Sequence, residues 1–300
     1  MTTVAPQLRA LAPAVVARLG SLELRARAIV DGAVAGLHRS PHRGFSVEFA
    51  EYRPYLPGDD LATIDWKVYA RSDRYCVRRF DAETTLQCHV LLDVSRSMAY
   101  GSGAVSKFVY AQGIAAALAL FMQRQRDASG LIAFDEAVVD ALPPSSRPGH
   151  LQALFGMLER LSPGRGTHLA DVLERLAASH TRRGLVVLIS DLLDDPARVV
   201  RALTHFHVRG SEVAVLQLLD PHELDFPFDR DATFEDLESG ALVTARPGLV
   251  RETYLAAMAA MTRTYREALG SVGIDYYQVR TDTPMEHALL HYMTTRARVR

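Results

Sequence analysis

Beyond Glu83 the chain alternates short apolar runs with helical segments, and the runs Val90-Leu91-Leu92, Leu185-Val186-Val187-Leu188-Ile189 and Val213-Ala214-Val215-Leu216 have no polar face. Successive side chains of a strand point to opposite faces of a sheet, so a strand apolar at every position must be covered on both sides. Helical length and spacing mark the intervening stretches near 106–125, 148–161, 168–179, 196–208, 249–269 and 284–298. Further strands are predicted at 130–134 and 274–279. The alternation predicts an α/β fold, a doubly wound and mainly parallel sheet over residues 86–300, in which ligands bind outside the carboxyl ends of the strands.

Three parts of the chain stand outside this repeat. Residues 7–37 read as two short helices broken at Gly20-Ser21, so 1–40 is an N-terminal helical segment. Residues 41–85 read as a small β-rich unit packed on the main domain, with strand-like runs at 45–49 and 75–80 around the turn residues Pro57-Gly58-Asp59-Asp60. Within the main domain, 221–247 reads as an insertion holding a hairpin that turns at Ser239-Gly240.

A net charge of -1 and a pI near 6.8 argue against nucleic acid as the partner, because phosphate binding calls for a basic excess. The longest apolar stretch, 114–122, is far short of the roughly 20 residues that cross a bilayer. Arg9 and Arg18 interrupt the N-terminus, which lacks a signal-peptide pattern, so a cytoplasmic location is expected. Cys76 and Cys88 form no C-x-x-C motif and are read as buried thiols.

Chemistry is expected where strands end. Asp93-Val94-Ser95-Arg96-Ser97 closes the first main-domain strand, Gly164-Arg165-Gly166-Thr167 delivers a hydroxyl just before a helix, and Asp191 closes a later strand. An all-oxygen donor set with few charges suits a hard cation of the magnesium type. D-x-S-x-S by itself is weak, since Ser also caps helices; order and context make it specific. In that order the chain resembles the von Willebrand factor A-type domain over residues 86 to about 282. The resemblance implies a metal-ion-dependent adhesion site in which Asp93, Ser95, Ser97, Thr167 and Asp191 bind Mg²⁺ or Mn²⁺ directly or through water.

A second resemblance starts at Arg43-Gly44-Phe45 and runs through Glu48-Phe49, Arg53-Pro54-Tyr55, Pro57-Gly58-Asp59-Asp60, Ile64-Asp65-Trp66, Ala70-Arg71 and Phe80. It continues in Asp93 to Met98 and ends in Thr281-Asp282-Thr283-Pro284 with Ala288-Leu289. This string is similar to the family called domain of unknown function 58. The resemblance implies a metal-binding partner of AAA+ ATPases of the MoxR type; unlike some longer members, this chain shows no transmembrane segment. Its expected function is therefore a metal-dependent protein-binding adaptor and not an enzyme, in protein complex assembly or remodelling.

A metal-dependent hydrolase using the same site is the alternative, with His168 as its one nearby base. At the start of a helix His168 is expected to point away if Thr167 points inward, because adjacent residues diverge by about 100°. His287 and His291 have zinc-pair spacing but no H-E-x-x-H, and Thr283-Pro284-Met285-Glu286 reads as a capping box. Asp194-Asp195-Pro196 reads as an N-cap with proline at the first helical position. Gly101-Ser102-Gly103 with Lys107 does not match a phosphate loop, and no nucleophile elbow occurs. Trp66, Tyr55 and Tyr69 read as a local core, and Arg53, Asp65 and Arg71 as a salt-linked network. Asp191 is placed at a surface edge, where Asp191→Ala should leave the fold intact.

Overall fold

A computed structural model of the chain describes residues 10–39, 86–164, 166, 168–180, 183–238 and 240–299, together with the short strands at 52–54 and 76–78. Residues 41–85 form one compact unit and the rest of the chain another. Within 41–85 the structure describes an antiparallel pair, β1 (Tyr52–Pro54) and β2 (Cys76–Arg78), with Arg53 opposite Val77. The strand expected at 45–49, the local core around Trp66, and Asp65 and Arg71 of the salt-linked network lie outside the described residues.

The larger unit opens with α1 (Pro13–Ala17) and α2 (Leu22–Arg39). The break between them falls at Gly20-Ser21 as expected, and the Ser21 hydroxyl accepts from the Leu24 amide at 3.2 Å, starting the new helix. Next come β3 (Gln87–Asp93), a 3-10 turn (Arg96–Ala99), α3 (Lys107–Arg124), β4 (Ala128–Phe134), β5 (Val138–Ser145), α4 (His150–Arg160) and α5 (Leu169–Ser179). After β6 (Leu185–Ser190), α6 (Pro196–Val208) and β7 (Glu212–Leu219), the insertion contributes α7 (Pro221–Asp225), β8 (Ala232–Glu235) and β9 (Leu242–Ala245). The chain continues with α8 (Pro247–Ser271), β10 (Asp275–Arg280) and α9 (Met285–Val299).

Six strands form one sheet in the order β10-β7-β6-β3-β4-β5, parallel throughout except for the β4–β5 pair. The all-apolar runs divide their side chains between two cores as period-2 geometry demands. Val90, Leu92, Val187 and Ile189 meet α2, α3, α4 and α9 on one face, while Leu91, Val186, Leu188 and Val215 meet α5, α6 and α8 on the other. α3 is apolar nearly all round and is correspondingly buried almost throughout. α2 lines the same core as α3, through Ile29, Val30 and Ala33.

Two local features differ from the sequence reading or sharpen it. The capping box expected at 283–286 does not form: the Thr283 hydroxyl donates to the Arg280 carbonyl at 2.7 Å, and Glu286 accepts instead from the Leu11 amide at 2.9 Å. A tertiary partner has displaced a local one. Asp195 does cap α6, accepting from the Ala197 amide at 3.0 Å with Pro196 in the first turn. Asp194 accepts from the Ala170 amide at 3.0 Å and so joins the start of α5 to this loop.

Among the described residues no helix is long and apolar enough to cross a membrane. Cys88 is buried in the core.

Candidate functional site

In the sheet order, β3 lies between β4 and β6, so the connections from β3 and from β6 leave in opposite directions and open a crevice at the carboxyl ends of these two strands. Asp93 ends β3 and Asp191 follows β6, so both fall at that crevice. Both carboxylates are buried, with 1% exposure each. The surface-edge placement of Asp191 is thereby overturned, because the following loop folds over the strand end.

Asp93 is held from two sides. Its Oδ1 accepts from the Ser95 amide at 2.8 Å and its Oδ2 from the Ser190 hydroxyl at 2.6 Å. Burial, together with the negative charge of Asp191, pushes the Asp93 carboxyl up to about 7, although hydrogen bonds from Ser190 and Ser95 counteract it. Ser95 and Ser97, both buried, bring their hydroxyl oxygens to 3.1 Å of each other. Alternate positions of this short loop therefore converge, as the D-x-S-x-S spacing predicts.

Thr167 lies outside the described residues, but the start of its loop is pinned at the same place, since the Gly164 amide donates to the Val94 carbonyl at 2.7 Å. His168 is exposed at the N-cap of α5.

The loop after Asp191 is locked. Gln217 Nε2 donates to the Asp191 carbonyl at 3.0 Å, and the Leu192 amide donates to Ser190 Oγ at 3.0 Å. Leu192 adopts φ 58°, a left-handed conformation unfavourable for a branched side chain, yet is fully buried. Its carbonyl accepts from the buried Tyr265 hydroxyl at 3.1 Å, and the Asp194 carbonyl accepts from the same hydroxyl at 3.1 Å.

Three charged groups join the site here: Glu223 and Glu238 escape the sequence reading, and Lys107 enters it only as a phosphate-loop lysine. Lys107, the first residue of α3, is fully buried and donates to Asp191 Oδ2 at 2.7 Å and to Glu223 Oε1 at 2.6 Å. Burial alone would lower its affinity for a proton, but Asp191 and Glu223 outweigh that and hold the lysine above its ordinary pKa. Glu223 itself is raised by burial, partly offset by Lys107. It also completes a capping box with Asp220, whose amide it accepts at 2.7 Å.

Glu238, from the loop joining β8 to β9, accepts from the Ser97 amide at 2.9 Å. A signal for Lys107 existed: it is the one charge between 107 and 123, at the end of the helix where the backbone dipole disfavours a cation. Glu223 and Glu238 sit in an insertion whose docking no periodicity reveals.

Beside these groups a cleft of about 500 Å³ opens, walled by Tyr100, Phe226, Phe228, Phe234 and Tyr254 and floored by Lys107, Ser97 and Glu238.

Among the described residues no group of three His, Cys, Asp or Glu side chains is placed to hold a metal ion. The donor set brought together consists of hydroxyls with carboxylates, and it fits a small hard cation on two counts. The Ser95–Ser97 oxygen separation of 3.1 Å is near the roughly 2.9 Å between adjacent corners of an octahedron with bonds of about 2.0–2.1 Å. Four carboxylates, Asp93, Asp191, Glu223 and Glu238, also stand at this crevice, and Lys107 makes its ion pairs with Asp191 and Glu223, so that full ionisation leaves negative charge in excess.

Comparison with known proteins agrees with this architecture. The chain is 28% identical over 292 residues to an uncharacterized protein of Mycobacterium bovis, covering 95% of this chain and 91% of that protein. An uncharacterized protein of Mycobacterium tuberculosis matches with the same identity and coverage. Among solved structures, the conserved hypothetical protein BatB from Bacteroides thetaiotaomicron matches with a TM-score of 0.50 at 18% identity, over 71% of this chain and 99% of that one. The VWA domain of SpRpn10 aligns with a TM-score of 0.40 at 11% identity, over 68% of this chain and 94% of that one. The model of the family described as protein of unknown function DUF58 matches residues 51–264, and this chain belongs to that family.

Proposed function

We propose that the protein is an adaptor that binds a protein partner through one Mg²⁺ or Mn²⁺ ion held at the crevice between β3 and β6, and that it is not an enzyme. Ser95, Ser97 and Thr167 would supply neutral oxygens, with Asp93 and Asp191 the carboxylates. The cation would contribute a Lewis-acidic position able to accept a carboxylate from the partner. The observation that carries the reading is the convergence of the Ser95 and Ser97 hydroxyls beside buried Asp93 at the topological switch point.

This chain's own residues account for the remaining requirements. Ser190 and the Ser95 amide orient Asp93, Gln217 orients the Asp191 backbone, and Lys107 holds the Asp191 carboxylate by an ion pair. His168, the one histidine of the Thr167 loop, is exposed and makes a poor general base for bound water. Family membership supports an AAA+ ATPase of the MoxR type as the partner and assembly or remodelling of protein complexes as the context, in the cytoplasm.

Isothermal titration of the full chain with Mn²⁺ tests the site. Wild type should bind, and Ser97→Ala should bind about 10-fold or more weakly, in line with the loss of one donor. Capture of the ATPase in a pull-down should fall with EDTA and with Ser97→Ala, and no metal-dependent phosphatase or peptidase turnover should appear. Turnover abolished by both Asp93→Asn and His168→Ala would replace the adaptor by a hydrolase.

A further inference from the structure

We propose that Glu238 is an internal ligand of this site, so that the β8–β9 hairpin closes it against the acidic side chain of a partner. The inference rests on the metal reading above. It starts from where the carboxylate ends: Oε1 accepts from the Ser97 amide at 2.9 Å, in the loop whose hydroxyls form the donor pair. The other oxygen, Oε2, is sealed from solvent and has no hydrogen-bond partner among the described residues. A buried carboxylate oxygen with neither donor nor cation is unfavourable, and a cation at this position removes the penalty.

Among the described residues no ion pair explains its approach. Lys107, the buried lysine of the site, makes its ion pairs with Asp191 and Glu223. Glu136 lies close as well and adds repulsion: a Cβ built on Gly166 would stand 3.1 Å from Glu238 Oε2 and 3.3 Å from Glu136 Oε1. Gly166 thus leaves just enough room for carboxylate oxygens beside the loop that carries Thr167.

The hairpin is shaped to present Glu238. Asp236 Oδ1 accepts from the Glu238 amide at 3.0 Å, the Gly240 amide donates to the Asp236 carbonyl at 2.7 Å, and the Asp236 amide donates to the Ala241 carbonyl at 2.8 Å. Phe234 on β8 stacks on Phe226 with ring centres 5.5 Å apart and meets Phe228 edge to face at 5.1 Å. Yet among the described residues β8 and β9 pair with each other alone, outside the six-stranded sheet, and Leu242 and Val243 on β9 are largely exposed. A two-stranded ribbon of this kind is marginally stable, so it can swing away at small cost. A partner's Asp or Glu then takes the place that Glu238 leaves.

Mn²⁺ bound to the full chain provides the test, read as the number of exchanging inner-sphere waters by water-proton relaxation and as affinity by titration. Glu238→Ala should gain about one inner-sphere water relative to wild type and bind Mn²⁺ about 10-fold more weakly. Millimolar acetate should displace that water in Glu238→Ala and leave wild type unchanged. Because the side chain lies in a hairpin loop, the fold tolerates the change, and unaltered circular dichroism checks this. Mn²⁺ bound by both proteins with equal hydration and equal affinity overturns the internal ligand while leaving the adaptor reading in place. Absence of Mn²⁺ binding in wild type overturns both.

Discussion

Lys107 sits where elementary electrostatics least favours it, at the positive end of a helix and out of contact with water. Ion pairs with Asp191 and Glu223, with the Tyr100 ring centre 6.0 Å from the ammonium, make that position tolerable. A buried ion pair adds little over an apolar pair of the same shape, but removing one partner strands the other, at about 3–5 kcal/mol. Lys107→Met and Asp191→Ala should therefore each lower stability by about that much, and the double substitution by less than the sum, since the two share one interaction. Urea denaturation of the four proteins measures this; additive losses would mean that the pair is not coupled. The expectation that Asp191→Ala is structurally silent fails on the same geometry. Mapping the metal site is better done with Ser97→Ala, which strands no charge.

Among the elements, the loop from β6 to α6 depends on a residue far along the chain. Tyr265, on α8, donates its hydroxyl to the Leu192 and Asp194 carbonyls and so holds the left-handed Leu192 next to Asp191. Tyr265→Phe removes the hydroxyl that bridges the two carbonyls, of which that of Leu192 keeps the Asp194 amide as a donor, and should cost about 0.5–1.5 kcal/mol. Because the loop carries Asp191, Mn²⁺ affinity should fall as well, although Tyr265 touches none of the candidate ligands. Denaturation paired with Mn²⁺ titration checks both effects, and a stability loss with unchanged affinity would confine Tyr265 to packing. The elements themselves were legible because a strand apolar on both faces and a helix apolar on one have few other uses. The hairpin at 232–245 was legible too, through its turn residues. The capping box at 283–286 was legible and absent, since Leu11, from the other end of the chain, offered Glu286 a better donor.

On the scale of the whole molecule, nearly balanced overall charge conceals a concentration of carboxylates at one crevice. A ligand bound only by the folded state stabilises it, by about 2.7 kcal/mol at a concentration 100-fold above Kd. Saturating Mn²⁺ should therefore raise Tm by several degrees, EDTA should reverse the rise, and Ser97→Ala should blunt it. A thermal scan with no shift would remove the cation from the account.

The sequence by itself determined the doubly wound sheet, the strand ends at which chemistry could sit, and the convergence of Asp93, Ser95 and Ser97, because these follow from side-chain periodicity within one strand and one loop. Only the tertiary structure decided what surrounds them. It buried Asp191 against a lysine 84 positions earlier, recruited Ser190 to Asp93, and laid Glu238 on the Ser97 amide from 141 positions away. Contacts between distant segments leave no period in the chain; they arise when neighbouring strands and an inserted hairpin bring uncompensated charges into a space too dry to leave them apart.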